Sequence, residues 1–284
     1  MEDLFKKYSS EQEELWNNDL GEQWAKNFKS LDSFLKPWGD EILNIAKINS
    51  GESVIDIGCG AGTIAFEVLK KVGTTGKVLG IDISDPLINC AKKRKEKLGY
   101  SNIKFIHANA ESYNFTYDFD VVISRFGLMF FGNPLQALSN IRRALKKSGK
   151  LFCVVWRTPR ENQWVSIPIT IAKKIIKNTP PPLAEGEPGP FSFSDQNYVK
   201  HIFEKSGWNN IMFNKINREV ILGSSIKEAT ELLITRGPIK RLIQNEKNPI
   251  KLLIKKEISE ALGPYYKNGK CSVFGSCWLI SAAS

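Results

Sequence analysis

The 284-residue chain has little of what staples or metallates a fold. Its five cysteines are odd in number, widely spaced and without a C-x-x-C pair. That argues against a disulfide framework and against the usual zinc signatures. Its two histidines, His107 and His201, have no ligand-like spacing, so no metal is expected. No apolar run approaches the roughly 20 residues of a membrane span. The opening MEDLFKKYSSEQEELW is acidic and polar and does not read as a signal peptide. These absences predict a reduced, cytoplasmic chain with one large core and a smaller second lobe.

Two nucleotide signatures are missing as well. The stretch Val54-Ile55-Asp56-Ile57-Gly58-Cys59-Gly60-Ala61-Gly62-Thr63 reads as a buried strand running through glycines into a helix. A dinucleotide fingerprint would need glycine at position 63, where Thr63 stands. A phosphate-cradling loop would need Gly-Lys-Ser/Thr, and no lysine is there. What remains is D-x-G-x-G-x-G, a turn that brings backbone N–H groups and a helix N-terminus to a ligand. It resembles the first motif of class I S-adenosylmethionine-dependent methyltransferases. That resemblance implies cofactor contacts from Asp56, Gly58, Cys59, Gly60, Gly62 and Thr63, and no metal.

The elements that follow fit an α/β core. Strands are predicted at 76–84, 103–107, 119–127 and 150–156, with helices over 64–69, 85–98 and 134–147 between them. Five strands alternating with helices predict a Rossmann-like, doubly wound parallel sheet. Asp82 ends the second strand, where a carboxylate can hold a ribose diol, with Ile83 beside it. His107 reads as a strand-end residue. In Ala108-Asn109-Ala110-Glu111 the family usually has an acid where Asn109 stands; the resemblance gives Asn109 and Ala110 to the adenine. Ser124 ends the fourth strand beside the same glycines.

The first fifty residues carry 10 acids and 6 bases, leaving +14 of the +10 total to the rest. Their apolar spacing is helical, broken at Pro37 and Gly39. This N-terminal cap (1–50) precedes the cofactor-binding core (51–160). Trp24 is placed as a cofactor wall and Trp16 as a wall of the acceptor pocket; packing of the helices onto the sheet is the competing reading. The remainder (161–284) reads as helices over 161–178, 195–206 (capped by Ser194), 225–236 (ended by Pro238) and 250–262, with strands at 208–222 and 272–282. Segments 161–190 and 225–262 form lid insertions, and the proline-rich loop at 180–190 is either a gate or a plain linker.

Ser124-Arg125-Phe126-Gly127-Leu128-Met129-Phe130-Phe131 and the later Gly189-Pro190-Phe191-Ser192-Phe193-Ser194-Asp195 resemble small-molecule methyltransferases of the ubiquinone/menaquinone-biosynthesis type. The resemblance implies a sheet of about seven strands with the last antiparallel. It also implies methyl transfer to a carbon, oxygen, nitrogen or sulfur nucleophile. The fourth strand lacks the Asp/Asn-Pro-Pro-aromatic motif of base-amine methylation, and no Pro-Cys or Thr-Cys pair is present for attack on a pyrimidine. Nucleic acid is therefore disfavoured as a partner despite the basic charge; an RNA or protein methyltransferase and a silent cofactor-binding module are the alternatives. Near the acceptor, Arg125 binds an anion or pairs with a structural acid, and Met129 and Phe130 wall the pocket or pack the core. The chain is expected to be a monomer or homodimer.

Overall fold

The computed structural model describes residues 2–116, 118–177, 179, 186–235 and 237–284. The chain divides into two compact units: Met1–Trp156, Glu185–Lys215 and Trp278–Ser284 make the first, and Arg157–Ala184 with Ile216–Cys277 the second.

The first unit opens on three helices, α1 (Glu2–Asn17), α2 (Asp19–Lys26) and α3 (Phe28–Ala46). α3 corrects the expected break, because it runs through Pro37. The face carrying Leu31, Leu35, Trp38, Ile42 and Leu43 is buried along the whole helix. At about 1.5–3 kcal/mol per buried apolar side chain, that burial offsets the roughly 3 kcal/mol of an interior proline.

The core alternates as its sequence periodicity requires. β1 (Ser53–Ile57), α4 (Thr63–Val72), β2 (Lys77–Asp82), α5 (Asp85–Leu98), β3 (Ile103–His107), β4 (Phe119–Arg125), α6 (Pro134–Arg143) and β5 (Leu145–Trp156) follow in order. Strands β1 to β5 pair in parallel, which places every strand's carboxyl end on one edge. β1 is central, between β2 and β4, and its Val54, Ile55 and Ile57 are fully buried. α6 ends four residues earlier than expected, at Arg143. Leu145 pairs with Phe119, and the strand resumes its register at Lys150 opposite Val121, so the Lys146–Gly149 stretch is absorbed as an irregularity.

The sheet has eight strands in the order β3-β2-β1-β4-β5-β8-β6, with the two-residue β7 paired to β8. β6 is Asn209–Gly223, β7 Tyr266–Lys267 and β8 Lys270–Ala283, the closing strands antiparallel as expected. α8 (Gln196–Lys205) is capped by Asp195, whose carboxylate accepts from Tyr198 N–H at 2.8 Å, and not by Ser194. Ser194 gives its carbonyl to Trp278 Nε1 instead.

The second unit is mostly helical: α7 (Gln163–Ile175), α9 (Ile226–Thr235), α10 (Gly237–Ile243) and α11 (Asn248–Ala261). Pro238 does not simply end a helix; it stands in the first turn of α10, where its missing N–H costs nothing. Of the proline-rich loop, residues 180–185 lie outside the described residues. Asn162 is the unit's hub. It is fully buried, donates to the carbonyls of Arg157, Thr158 and Ser276, and accepts from Ser276 N–H and Trp164 Nε1. Asn162→Ala strands several of these groups, so chemical denaturation should show a loss of about 3 kcal/mol or more. A loss under about 1 kcal/mol would contradict that role.

Candidate functional site

The glycine turn after β1 has a distinct backbone. Gly58, Gly60 and Gly62 all have positive φ, at 69°, 53° and 82°. Two of them answer different needs. A Cβ on Gly58 would lie 2.8 Å from Gly127 Cα, so this position lets the β1 and β4 loops press together. A Cβ on Gly60 would meet nothing within 4 Å, so its face is open for a ligand's approach.

Gly62 caps α4 without a side chain to do it. Asp56 faces the backbone of Ala65 in the helix's first turn, and that amide favours its ionised form. Asp56 is 1% exposed, and its Oδ2 has no partner in the protein. Burial drives its pKa up to about 7, with Arg125 opposing and Asp82 and Asp32 reinforcing the shift. Asp82 accepts from Gly60 N–H at 2.7 Å and Ser84 N–H at 2.9 Å. It therefore shapes the glycine turn while keeping acceptor capacity. Burial raises its pKa too, against the pull of those two amides and His107.

At β3, Asn109 Oδ1 accepts from Glu111 N–H at 2.9 Å, which leaves its second lone pair and its amide N–H groups uncommitted there. Ala110 is buried next to it. Ser124 is fully buried and donates to the Ile57 carbonyl at 2.8 Å, tying β4 to β1. Cys59 is buried, and its thiol, raised well above its ordinary pKa by burial, is no nucleophile.

Arg125 pairs with Asp32 of α3 at 2.5 Å. Asp32 also accepts from the Thr63 hydroxyl, which itself accepts from Arg94 at 2.8 Å. Arg94 donates further to the Ala61 carbonyl and lies over the Phe28 and Phe66 rings. The pairing of Arg125 with an acid is thus present, through Asp32. Neither Asp32 nor Arg94 stood out in the sequence, because their meeting depends on how α3 crosses the sheet edge.

The tryptophans are also placed. Trp16 is buried edge-on to both Trp24 and Phe130, with ring centroids 5.4 and 5.3 Å apart. Ala61, Ile83 and Leu87 belong to the same cluster, so the aromatics of α1 and α2 pack on residues that flank the turn. Met129 is 1% exposed and packs in the core. Its sulfur accepts from Trp156 N–H, and its carbonyl accepts from Gly189 N–H and Ser192 Oγ. The Gly189–Asp195 motif is thus the clamp on the loop after β4.

Three polar anchors of α1 were not legible in sequence. Asn17 donates to the Ile83 carbonyl and accepts from Asp85 N–H. Ser84 donates to the Trp16 carbonyl. Ser9 donates to the buried Glu111, which also accepts from Gly132 N–H. The helix therefore touches the carboxyl ends of β2 and β3 and the loop after β4.

The residues themselves fit an S-adenosyl cofactor. The open Gly60 face, the unpartnered Asp56 oxygen and the uncommitted lone pairs of Asp82 fit one. Asp82, joined by Asp56 where it is ionised, puts negative charge beside the turn, which suits a cationic sulfonium, while Asp32 is balanced by Arg125. Among the described residues no group of three or more His, Cys, Asp or Glu could hold a metal, and no helix is long and apolar enough to cross a membrane. All five cysteines are free.

Known proteins share this arrangement. The chain is 28% identical over 144 residues to a demethylmenaquinone methyltransferase of Bacillus velezensis, covering 49% of this chain and 62% of that protein. It is 34% identical over 119 residues to the aklanonic acid methyltransferase DauC of a Streptomyces species, covering 42% and 54%. The chain thus matches just over half the length of these curated relatives. In fold it is similar to the YcgJ protein of Bacillus subtilis, with TM-score 0.57, 17% identity and coverage of 87% and 97%. It is also similar to phosphoethanolamine N-methyltransferase 2 of Haemonchus contortus, solved with phosphomonomethylethanolamine and S-adenosylhomocysteine, with TM-score 0.55, 16% identity and coverage of 95% and 59%. A family model described as a methyltransferase domain matches residues 48–207, from before β1 to the end of α8, and the chain belongs to that family.

Proposed function

We propose that the protein transfers a methyl group from S-adenosylmethionine to a small-molecule acceptor. The observation that carries this is the pairing of the open Gly60 face with Asp82, whose carboxylate both fixes the Gly60 amide and keeps room for a ribose diol. Gly58 to Thr63 would lie beneath the methionine half, Asp82 and Ile83 beside the ribose, and Asn109 and Ala110 beside the adenine. Trp24 and Trp16 cover the face from the cap, and Phe130 joins them from the loop after β4. The cofactor, when bound, supplies an electrophilic methyl on a sulfonium whose departure leaves a neutral thioether.

The residues' work is then to hold and to exclude. A neutral leaving group needs no stabilised anion, so in-line orientation of acceptor and methyl supplies much of the rate. A base is required only for an acceptor protonated at neutral pH. With Arg125 engaged by Asp32, the ion pair fixes the strand-end loop beside the acceptor side. A small-molecule acceptor is supported by the two curated relatives, named for a menaquinone precursor and for aklanonic acid.

Calorimetry with S-adenosylmethionine and S-adenosylhomocysteine tests the reading. Binding in the micromolar range is expected, and Asp82→Ala should weaken it at least about thirtyfold, the worth of two hydrogen bonds to a charged acceptor. Unchanged affinity in a folded Asp82→Ala protein would remove the ribose assignment. Mass spectrometry of metabolite pools incubated with protein and labelled cofactor should then reveal a labelled product; binding without any transfer would identify a silent module.

A further inference from the structure

The net charge of +10 is not spread over the chain. The first unit holds 24 Lys and Arg against 23 Asp and Glu, a net of +1. The second holds 16 against 7, a net of +9 in less than a third of the residues. A lysine-rich compositional background would act on both units alike, so it does not explain the difference.

The second unit also exposes large apolar side chains. Leu252 and Leu253 of α11 are 65% and 44% exposed. Lys247 and Lys256 of the same helical segment are exposed near them in sequence, Lys256 in a solvent-exposed pair with Glu260 at 3.7 Å. Ile221 of β6 and Phe274 of β8 are 56% and 57% exposed. Glu219 accepts from Ser272 and pairs with Lys270, so strand alternation puts Ile221 and Phe274 on the face that carries those groups. Adjacent exposed aliphatic side chains on a basic surface fit an apolar partner.

We infer that the second unit docks on an anionic lipid surface, with the Leu252-Leu253 pair of α11 entering the headgroup boundary and the surrounding lysines facing lipid phosphates. Cations draw a protein to such a surface, while leucines give it an interfacial foothold. A nucleic acid would satisfy the same cations through its phosphates but leave two adjacent aliphatic side chains without a role. The inference is independent of the cofactor and would hold for a protein that transferred no methyl group.

Sedimentation of the full chain with vesicles tests it. One set contains phosphatidylcholine alone, the other phosphatidylcholine and phosphatidylglycerol in equal parts. Binding is expected only to the second and should fall with added salt. Lys247→Gln and Lys256→Gln should each weaken it about fivefold. Leu252→Ser with Leu253→Ser should weaken it about tenfold at unchanged charge. These side chains are exposed, so all four substitutions should leave the circular dichroism and melting temperature unchanged. Absence of binding to the anionic vesicles would overturn the inference, as would full binding by the leucine variant. Tighter binding to duplex DNA or transfer RNA than to the vesicles at the same salt would overturn it in favour of a nucleic-acid partner.

Discussion

Gly58→Ala and Gly60→Ala should fail in opposite ways, although only Cys59 separates them and both stand at positive φ. At Gly58 the new methyl would meet the Gly127 backbone at 2.8 Å, and neither loop can yield without moving a strand end. Left-handed strain of about 1–2 kcal/mol adds to overpacking of about 1–3 kcal/mol, so a loss of about 3 kcal/mol or more is expected in urea unfolding. At Gly60 no atom lies within 4 Å of the new methyl, so only the strain of about 1 kcal/mol remains and the protein should fold. Its affinity for S-adenosylhomocysteine should nevertheless fall at least about a hundredfold, because the methyl stands on the face reserved for the ligand's closest approach. Retained affinity in Gly60→Ala would move the cofactor away from this turn.

Asp56→Asn should reveal a buried proton. The folded pKa of about 7 lies above the ordinary 3.8, so the folded protein holds the proton more tightly than the unfolded chain does. Whatever stability this provides is fully present below pH 4 and is lost as pH rises through 7. At about 1.4 kcal/mol per pH unit, the loss across that window is about 4 kcal/mol. An asparagine does not titrate and keeps the same shape beside the Ala65 amide. The difference in unfolding free energy between Asp56→Asn and the native protein should therefore shift in the variant's favour by several kcal/mol between pH 4 and 7.5. The groups facing Asp56 set the size of the effect: Arg125 lowers it, and Asp82 and Asp32 raise it. Parallel pH profiles for the two proteins would show that Asp56 is ionised throughout. In the function proposed here the same carboxylate favours a cationic cofactor, so Asp56→Asn should gain stability at neutral pH while losing affinity for the sulfonium form.

The parallel core was legible because its signals are local. Alternating runs of β-branched residues and helical stripes need only neighbours to be read, and each glycine or proline punctuated them. The places where local reading failed share one cause. Pro37 breaks an isolated helix, but a continuous buried face from Leu31 to Leu43 keeps α3 whole. Lys146 to Gly149 reads as a helix end, yet the pairing of Leu145 with Phe119 makes it part of a strand. In both, long-range burial or pairing outweighs a local preference of a few kcal/mol.

The site divides in the same way. Strand-end positions of Gly58, Gly60, Asp82, Asn109 and Ser124 followed from the sequence, since a parallel sheet puts all carboxyl ends on one edge. What each side chain does there did not follow. Ser124 donates to the Ile57 carbonyl, Met129 is buried and Arg125 pairs with Asp32. Asp56 is buried beneath the turn, faces the first turn of α4 and keeps one carboxylate oxygen without a partner. By itself, then, the sequence determined the order of elements, the turn and the family, because spacing along the chain is enough for these. Only the tertiary structure decided which polar groups remain free for chemistry and that the positive charge is gathered in one unit. Both depend largely on contacts between residues far apart in the chain, such as Arg125 with Asp32 and Asn162 with Ser276, which no local pattern encodes.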